Sequence, residues 1–297
     1  MPCYYSNIID FFSLFTYNVN WRNERKTIMP DVWSEFFKEG FFGYGEKGDF
    51  HYFSIWHFLP ILILIAGIIL TYIFRDKIAN SKHEKTFRLI LGCTMLLAEF
   101  GFFWRLLYVG PGDTVHHTMM TKLPIQVCEW TCIFAAIMVF TENKHFFDID
   151  ATICLTLGVA PLLLPAVILD SGPKYFRYYQ FWLEHIIPIY SVFYMMFIKG
   201  FRYDIKKIYK PLTFLCILAA ISMVANYFIP EASYMYLQGD ALGPAITSIL
   251  PSNQFARFGV FTAVTLLLFG IEFLIFYLIR RYRKKKEDTP IEPVENN

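Results

Sequence analysis

Charge is scarce in this chain. Only 18% of its 297 residues are Asp, Glu, Lys or Arg, against about 25% in an ordinary soluble protein. The net charge of +2 gives no global field that would attract nucleic acid, and none is expected as a partner. A Cys-x-x-Cys pair is also missing. The cysteines are Cys3, Cys93, Cys128, Cys132, Cys154 and Cys216, all but the first inside apolar blocks. Neither a zinc ribbon nor a disulfide framework is indicated, and no metal or cofactor is expected. No short apolar run with a small-residue cleavage site follows Met1, so the first spanning segment is expected to act as an uncleaved insertion signal. No repeat marks an inverted-repeat transporter.

Apolar residues make up 56% of the chain, aromatics 19%, and mean hydropathy is +0.40. The apolar residues fall in blocks of roughly 20, which is bilayer length rather than the length of a buried core helix. The fold class is therefore all-α, a polytopic membrane helix bundle. About seven transmembrane helices are expected, near 53–74, 88–109, 123–140, 150–169, 180–199, 211–229 and 258–279. Residues 1–52 read as an aromatic, interfacial N-terminal segment, 53–280 as the membrane domain, and 281–297 as a basic, then polar, cytoplasmic tail. Alternate connections are unequal in charge. The first, third and fifth, together with the tail, hold 17 Lys and Arg, and the opposite side holds nine. Excess basic charge marks the cytoplasm, which places the N-terminus outside and the C-terminus inside a cell membrane.

Ionisable groups inside a span are costly, and they face the protein interior or a wet cavity. With this topology most of them collect near the outer ends of their spans: His57 in the first, Glu99 and Arg105 in the second, Gln126, Cys128 and Glu129 in the third, Glu184 and His185 in the fifth, Asn226 in the sixth. Only Glu272 falls clearly in the inner half. Cys128 and His185 each stand about five residues into their spans, roughly 8 Å below the boundary at 1.5 Å per residue. A thiolate is a strong nucleophile, and an imidazole at the same level can take the thiol proton and return it to a leaving group. On these edges Cys128 lies beyond the first turn of its helix and gains little from the helix dipole. Glu99 suits the role of orienting His185 better than Glu184, which points about 100° away.

Plainer readings exist for each residue. A membrane helix buries cysteine as a small apolar side chain, and a histidine bridges helices by hydrogen bonding. His57 reads as an interfacial anchor, and His116-His117 as part of a solvated loop. A metal held by Cys128, Cys132 and His185 is the minority case.

Leu123-Pro124-Ile125-Gln126-Val127-Cys128 resembles the Leu-Pro-x-x-x-Cys signature of the YwaF-like integral membrane family, whose animal branch is the transmembrane protein 164 acyltransferases. Phe181-Trp182-Leu183-Glu184-His185 is similar to that family's Phe-x-x-x-His segment. Leu164-Pro165, Asn226-Tyr227 and the run from Ala232 to Leu237 fit the same order, from about residue 53 to 280. Gln126 stands where many relatives carry His, and Ser233 where Asn is expected. The resemblance implies a membrane-embedded acyl-transfer site with Cys128 as nucleophile and His185 as its partner. The more distant androgen-induced fatty-ester hydrolases imply similar chemistry with Thr in place of Cys.

The expected function is thus a lipid acyltransferase or acyl-ester hydrolase. Cys128 and His185 would be catalytic, supported by His57, Glu99, Arg105, Gln126, Glu184 and Asn226. Membrane lipid would serve as solvent and substrate, and Gln126 or Asn226 would donate to the oxyanion. The competing expectation is a transporter or sensor that binds a small solute in the same outward pocket. A retinal pigment is excluded, because the seventh span has no lysine between Arg257 and Arg280 to form a Schiff base.

Overall fold

Long apolar runs that must satisfy their own backbone in lipid can only form helices or closed barrels, and every regular element among the described residues is helical. The computed structural model describes residues 41–42, 49–101, 123–165, 168, 171–229, 232–239, 242 and 244–287. Its helices are α1 Ile55–Ile73, α2 Arg75–Ala79, α3 Glu84–Gly101, α4 Val127–Thr141, α5 Lys144–Thr156, α6 Ala160–Leu163, α7 Phe176–Ile198, α8 Tyr209–Phe228, α9 Pro244–Thr247 and α10 Gln254–Glu287. Five helical stretches among the described residues are long and apolar enough to cross a bilayer: 55–73, 144–163, 176–198, 205–228 and 254–282. They correspond to expected spans one, four, five, six and seven. Expected span two is described only as far as Gly101, and span three is the 15-residue helix α4.

The helix edges depart from the hydropathy edges for local reasons. Leu123-Pro124 stays outside the helix, and Gln126 is extended as the N-cap of α4, because the residue before a proline avoids helical ψ. Helix α5 starts six residues earlier than expected. The Asn143 side chain accepts the His145 N–H at 2.8 Å, a side-chain cap that sets the start whatever the hydropathy. Helix α10 runs unbroken through the basic segment to Glu287.

Helix α7 is the hub, packing against α1, α3, α4 and α5. Helix α5 in turn carries α8 and α10. The closest pair is α3 and α4, and Gly92 permits it: a Cβ there would stand 2.4 Å from the Phe140 ring. Gly172 serves the approach to α7 in the same way, since a Cβ would meet the Asp49 carbonyl at 2.3 Å. There the Phe176 N–H bonds the Phe41 carbonyl at 2.6 Å. Buried Phe50 meets Tyr178 and His57.

On the basic side, an ion-pair cluster joins three helices. Arg88 of α3 binds Glu84 at 3.1 Å and Glu142, the α4 C-cap, at 2.5 Å, and it donates to the Val139 carbonyl. Lys199, just after α7, reaches Glu84 at 3.1 Å and Glu142 at 3.2 Å. The Tyr194 hydroxyl donates to Glu84 at 3.1 Å. Nearby, Lys144 and Lys210 both bind Asp148, at 2.6 and 2.7 Å.

Two outcomes follow. Gly92→Ala lowers the melting temperature, because overpacking of about 1–3 kcal/mol outweighs the roughly 1 kcal/mol gained in helix propensity. Phe140→Leu in the same chain restores part of the loss. The second concerns Glu84, which precedes the apolar part of α3. Burial disfavours its charge, but Lys199, Tyr194 and Arg88 outweigh burial and hold the carboxyl below its ordinary 4.5. Its contribution is complete above that value and is lost as pH falls through the lower, folded one. Melting profiles between pH 6 and 3 should fall less steeply below 4.5 in Glu84→Gln than in wild type.

Candidate active site

Cys128 is the second residue of α4. This corrects the expectation that it lies beyond the first turn, which counted Leu123 to Gln126 as helix. His185 is the tenth residue of α7 rather than the fifth. Equal counts from the helix starts therefore do not set their relative level; the packing of α4 on α7 does. The half-buried thiol of Cys128 lies within electrostatic reach of Glu184, Glu129, Glu99 and Arg177. It stands at the N-terminal end of α4, where Gln126 and Glu129 form a capping box.

His185 is buried, and its Nδ1 lies 2.7 Å from the Phe181 carbonyl. A carbonyl only accepts, so Nδ1 carries the proton and Nε2 of the neutral ring keeps its lone pair. The orienting group is thus a backbone carbonyl four residues back, not Glu99. Cys128 and His185 form no hydrogen bond with each other among the described residues.

Glu184 is buried, accepts from Gln180 at 2.7 Å, and pairs with Arg177 at 3.7 Å. Gln180 also donates to the Ala98 carbonyl at 3.1 Å, which ties α7 to α3 one residue before Glu99. Glu99, 3% exposed, shares the field of Glu184, Glu129 and Arg177. Arg177 and Gln180 belong to the site, although their segment reads as an outer loop and span edge. Their spacing of seven and four residues before Glu184 on one helix was the available signal. Arg105, the cation expected here, lies outside the described residues, as do His116 and His117.

His57 takes the anchoring role of its plainer reading, while Asn226 and Gln126 have partners that the sequence does not announce. His57 receives the Phe53 N–H on Nδ1 at 3.1 Å and bonds the Leu162 carbonyl through Nε2 at 2.8 Å. Both ring nitrogens join α1 to backbone, which is an anchoring role. Asn226, 1% exposed, exchanges hydrogen bonds of 2.9 and 3.1 Å with the N–H and carbonyl of Tyr234. Gln126 accepts the Met235 N–H at 2.8 Å, while its own N–H bonds Glu129 at 2.8 Å. Asn226 and Gln126 therefore clamp the loop at 232–239 rather than stand ready for an oxyanion. The Tyr234 hydroxyl accepts the Leu123 N–H at 2.9 Å, and buried Arg257 donates to the carbonyls of Tyr236 and Gly239 at 3.2 and 2.9 Å. Met235 and Tyr236 both take left-handed φ, 50° and 57°, a costly conformation for residues other than glycine. Burial, with Cys128 close by, pushes the Tyr236 phenol up to about 12.

Another buried carboxyl is Glu272 of α10, which accepts from Tyr203 at 3.5 Å. Asp150 joins it, fully buried and without an N–H or O–H partner among the described residues. The Cys132 thiol points to the Met95 carbonyl at 3.3 Å. Among the described residues no three His, Cys, Asp or Glu side chains are grouped to hold a metal ion.

Fold and site define an α-helical integral membrane protein with a polar cluster, rich in carboxyls, buried among its helices. The sequence model of the TMEM164 family matches residues 52–287, and the chain belongs to that family. No curated protein and no solved structure matches it.

If the loop clamp is as described, Asn226→Ala strands the Tyr234 amide and costs about 1–3 kcal/mol. Hydrogen exchange should quicken at Tyr234 and Met235 while α5 is unchanged. Equal quickening throughout would mean global unfolding instead.

Proposed function

We propose that this protein is a lipid acyl-transfer enzyme, an acyltransferase or acyl-ester hydrolase, with Cys128 as nucleophile and His185 as base. The observation that carries the reading is the tautomer of His185. Its Nδ1–H is committed to Phe181, which leaves a basic Nε2 on a helix packed against the one whose second residue is Cys128. Family membership supports the membrane setting. Seven spans, an outer N-terminus and residence in the cell membrane complete the proposal, from the distribution of Lys and Arg.

The chemistry balances on these two side chains. His185 Nε2 takes the thiol proton as sulfur attacks the ester carbonyl of a phospholipid. The tetrahedral intermediate expels the lysolipid alkoxide, which takes that proton back from the imidazolium and leaves an acyl thioester on Cys128. A hydroxyl of a second lysolipid, or water, then attacks the thioester. Its proton passes to His185 and on to the departing sulfur. Carboxyls outnumber Arg177 around Cys128, so a thiol deprotonated as it attacks suits the site better than a standing thiolate–imidazolium pair. The Cys128 N–H, in the first turn of α4, is the nearest backbone donor for the oxyanion.

The test is the intact mass of the protein after incubation with mixed phospholipids. Wild type should gain an acyl mass that hydroxylamine releases. Cys128→Ala should gain none, and His185→Ala should lose at least 100-fold in rate, in line with general-base catalysis. Undiminished lipid turnover in both variants would sink the reading. The same cluster of Glu99, Glu129, Glu184 and Arg177 suits a second reading, a solute site. Ligand-dependent thermal stabilisation that survives Cys128→Ala but not Glu184→Gln would favour it.

A further inference from the structure

Helices α8 and α10 both pack against α5, and neither makes its main packing contacts with the other. Between them is a groove with about 470 Å³ of empty space, part of it open to the surroundings. Leu212, Leu215 and Cys216 form one wall, and Phe258, Thr262 and Thr265 the other. Leu157 at the end of α5 forms the floor, and Met235 and Leu237 close one end. The lining is apolar apart from two threonine hydroxyls and a thiol. A threonine hydroxyl on a helix has the carbonyls of the preceding turn within reach, so an apolar occupant does not strand it.

Groove and site share a wall. Met235 lines the groove, yet its N–H is held by Gln126, two residues before Cys128. Tyr236, the next residue, lies within electrostatic reach of the Cys128 thiol. The loop that lines the groove at Met235 thus carries its next residue within electrostatic reach of the candidate nucleophile. On α8 the lining runs from Leu212 to Cys216, about 6 Å at 1.5 Å per residue, and on α10 from Phe258 to Thr265, about 10 Å. The groove is apolar, and its walls are two helices long and apolar enough to cross the bilayer. Water has no polar partners there, whereas the hydrocarbon of the bilayer borders it along its length.

We propose that one acyl chain of a membrane lipid enters sideways between α8 and α10 and lies in this groove, its ester end at the Met235–Tyr236 loop beside Cys128. That the ester end reacts there rests on the acyl-transfer reading; that a chain occupies the groove does not. Thr262 and Cys216 are then chain-facing residues that set which acyl chains fit.

The test uses the full-length chain in phosphatidylcholine vesicles containing a trace of phosphatidylcholine with a diazirine on its acyl chain. After photolysis, label should concentrate on the peptides carrying Leu212–Cys216 and Phe258–Thr265. It should exceed the label on Leu62 and Ile63, which are exposed on α1. Thr262→Trp and, separately, Cys216→Trp fill the groove. Each should lose most of the groove label and keep the α1 label, which also reports that the bundle is folded. Cys128→Ala should label like wild type. Label spread evenly over all lipid-facing helices, unmoved by Thr262→Trp, overturns the proposal. Groove label without any thioester on wild type supports occupancy and removes the acyl-transfer reading. A thioester on Cys128 with no groove label does the reverse.

Discussion

The site depends on a set of charges at the far end of the bundle. Arg88, Glu84, Glu142 and Lys199, with the Tyr194 hydroxyl, tie together α3, the end of α4 and the end of α7. These are the three helices that carry Glu99, Cys128, and Glu184 with His185. The spacing from the cluster to the site is nearly the same on each. Arg88 to Glu99 is 11 residues, Val139 to Cys128 is 11, and Tyr194 to Glu184 is 10, each about 15–17 Å at helical rise. Helices locked at one end and cut to equal length bring their other ends to one level. This gives a firmer account of the matched depth of the polar residues than the distance of each from its own helix start. A buried pair of this kind adds little net stability over an apolar packing, but breaking one costs about 3–5 kcal/mol. Its use here is register, and Gly92 allows the helices to lie close enough for it to form.

The two ends of the bundle handle charge in opposite ways. At the basic end Glu84, Glu142 and Asp148 each have a cation within 3.2 Å. Around Cys128 three carboxyls share the field of Arg177, and further in Asp150 has no N–H or O–H partner among the described residues. A buried carboxyl not matched by a cation contributes nothing favourable to folding, and such groups inside a membrane domain are functional candidates. Register is thus fixed at one end of the bundle, and the carboxyl-rich cluster lies toward the other.

Much of this was legible in the chain. Apolar runs of bilayer length locate the helices because lipid leaves no other structure for them, and the scarcity of charge makes Glu99, Glu184 and His185 conspicuous. Helix edges were not legible to the same degree. The start of α4 is set by Pro124 and by Gln126, whose side chain answers to Met235, 109 residues away. Hydropathy averages such a contact away. Arg177 and Gln180 escaped notice because polar residues near a span edge read as loop, although a single helix places both beside Glu184. Asn226 and Gln126 read as oxyanion donors because their amides suit that work. Only the coordinates reveal that those amides are already committed to a loop whose left-handed residues carry no glycine to announce them.

That loop is where the separate parts meet. Two successive non-glycine residues in left-handed backbone cost on the order of 1–3 kcal/mol each, so the surroundings must hold them. Asn226, Gln126, Arg257 and Gln238 do so from three directions, through the carbonyls and N–H groups of residues 232–239. The geometry that results is one a relaxed turn would not give. The Met235 side chain faces the apolar groove while Tyr236 lies beside the Cys128 thiol. Successive residues of an extended strand also point apart, but a strand would leave its N–H and carbonyl groups unpaired among apolar helices. A tight left-handed turn clamped by amide and guanidinium side chains satisfies those groups and still separates the two faces. An apolar compartment and a polar one are thereby held one residue apart, which is the arrangement that chemistry at the junction of a hydrocarbon chain and an ester requires.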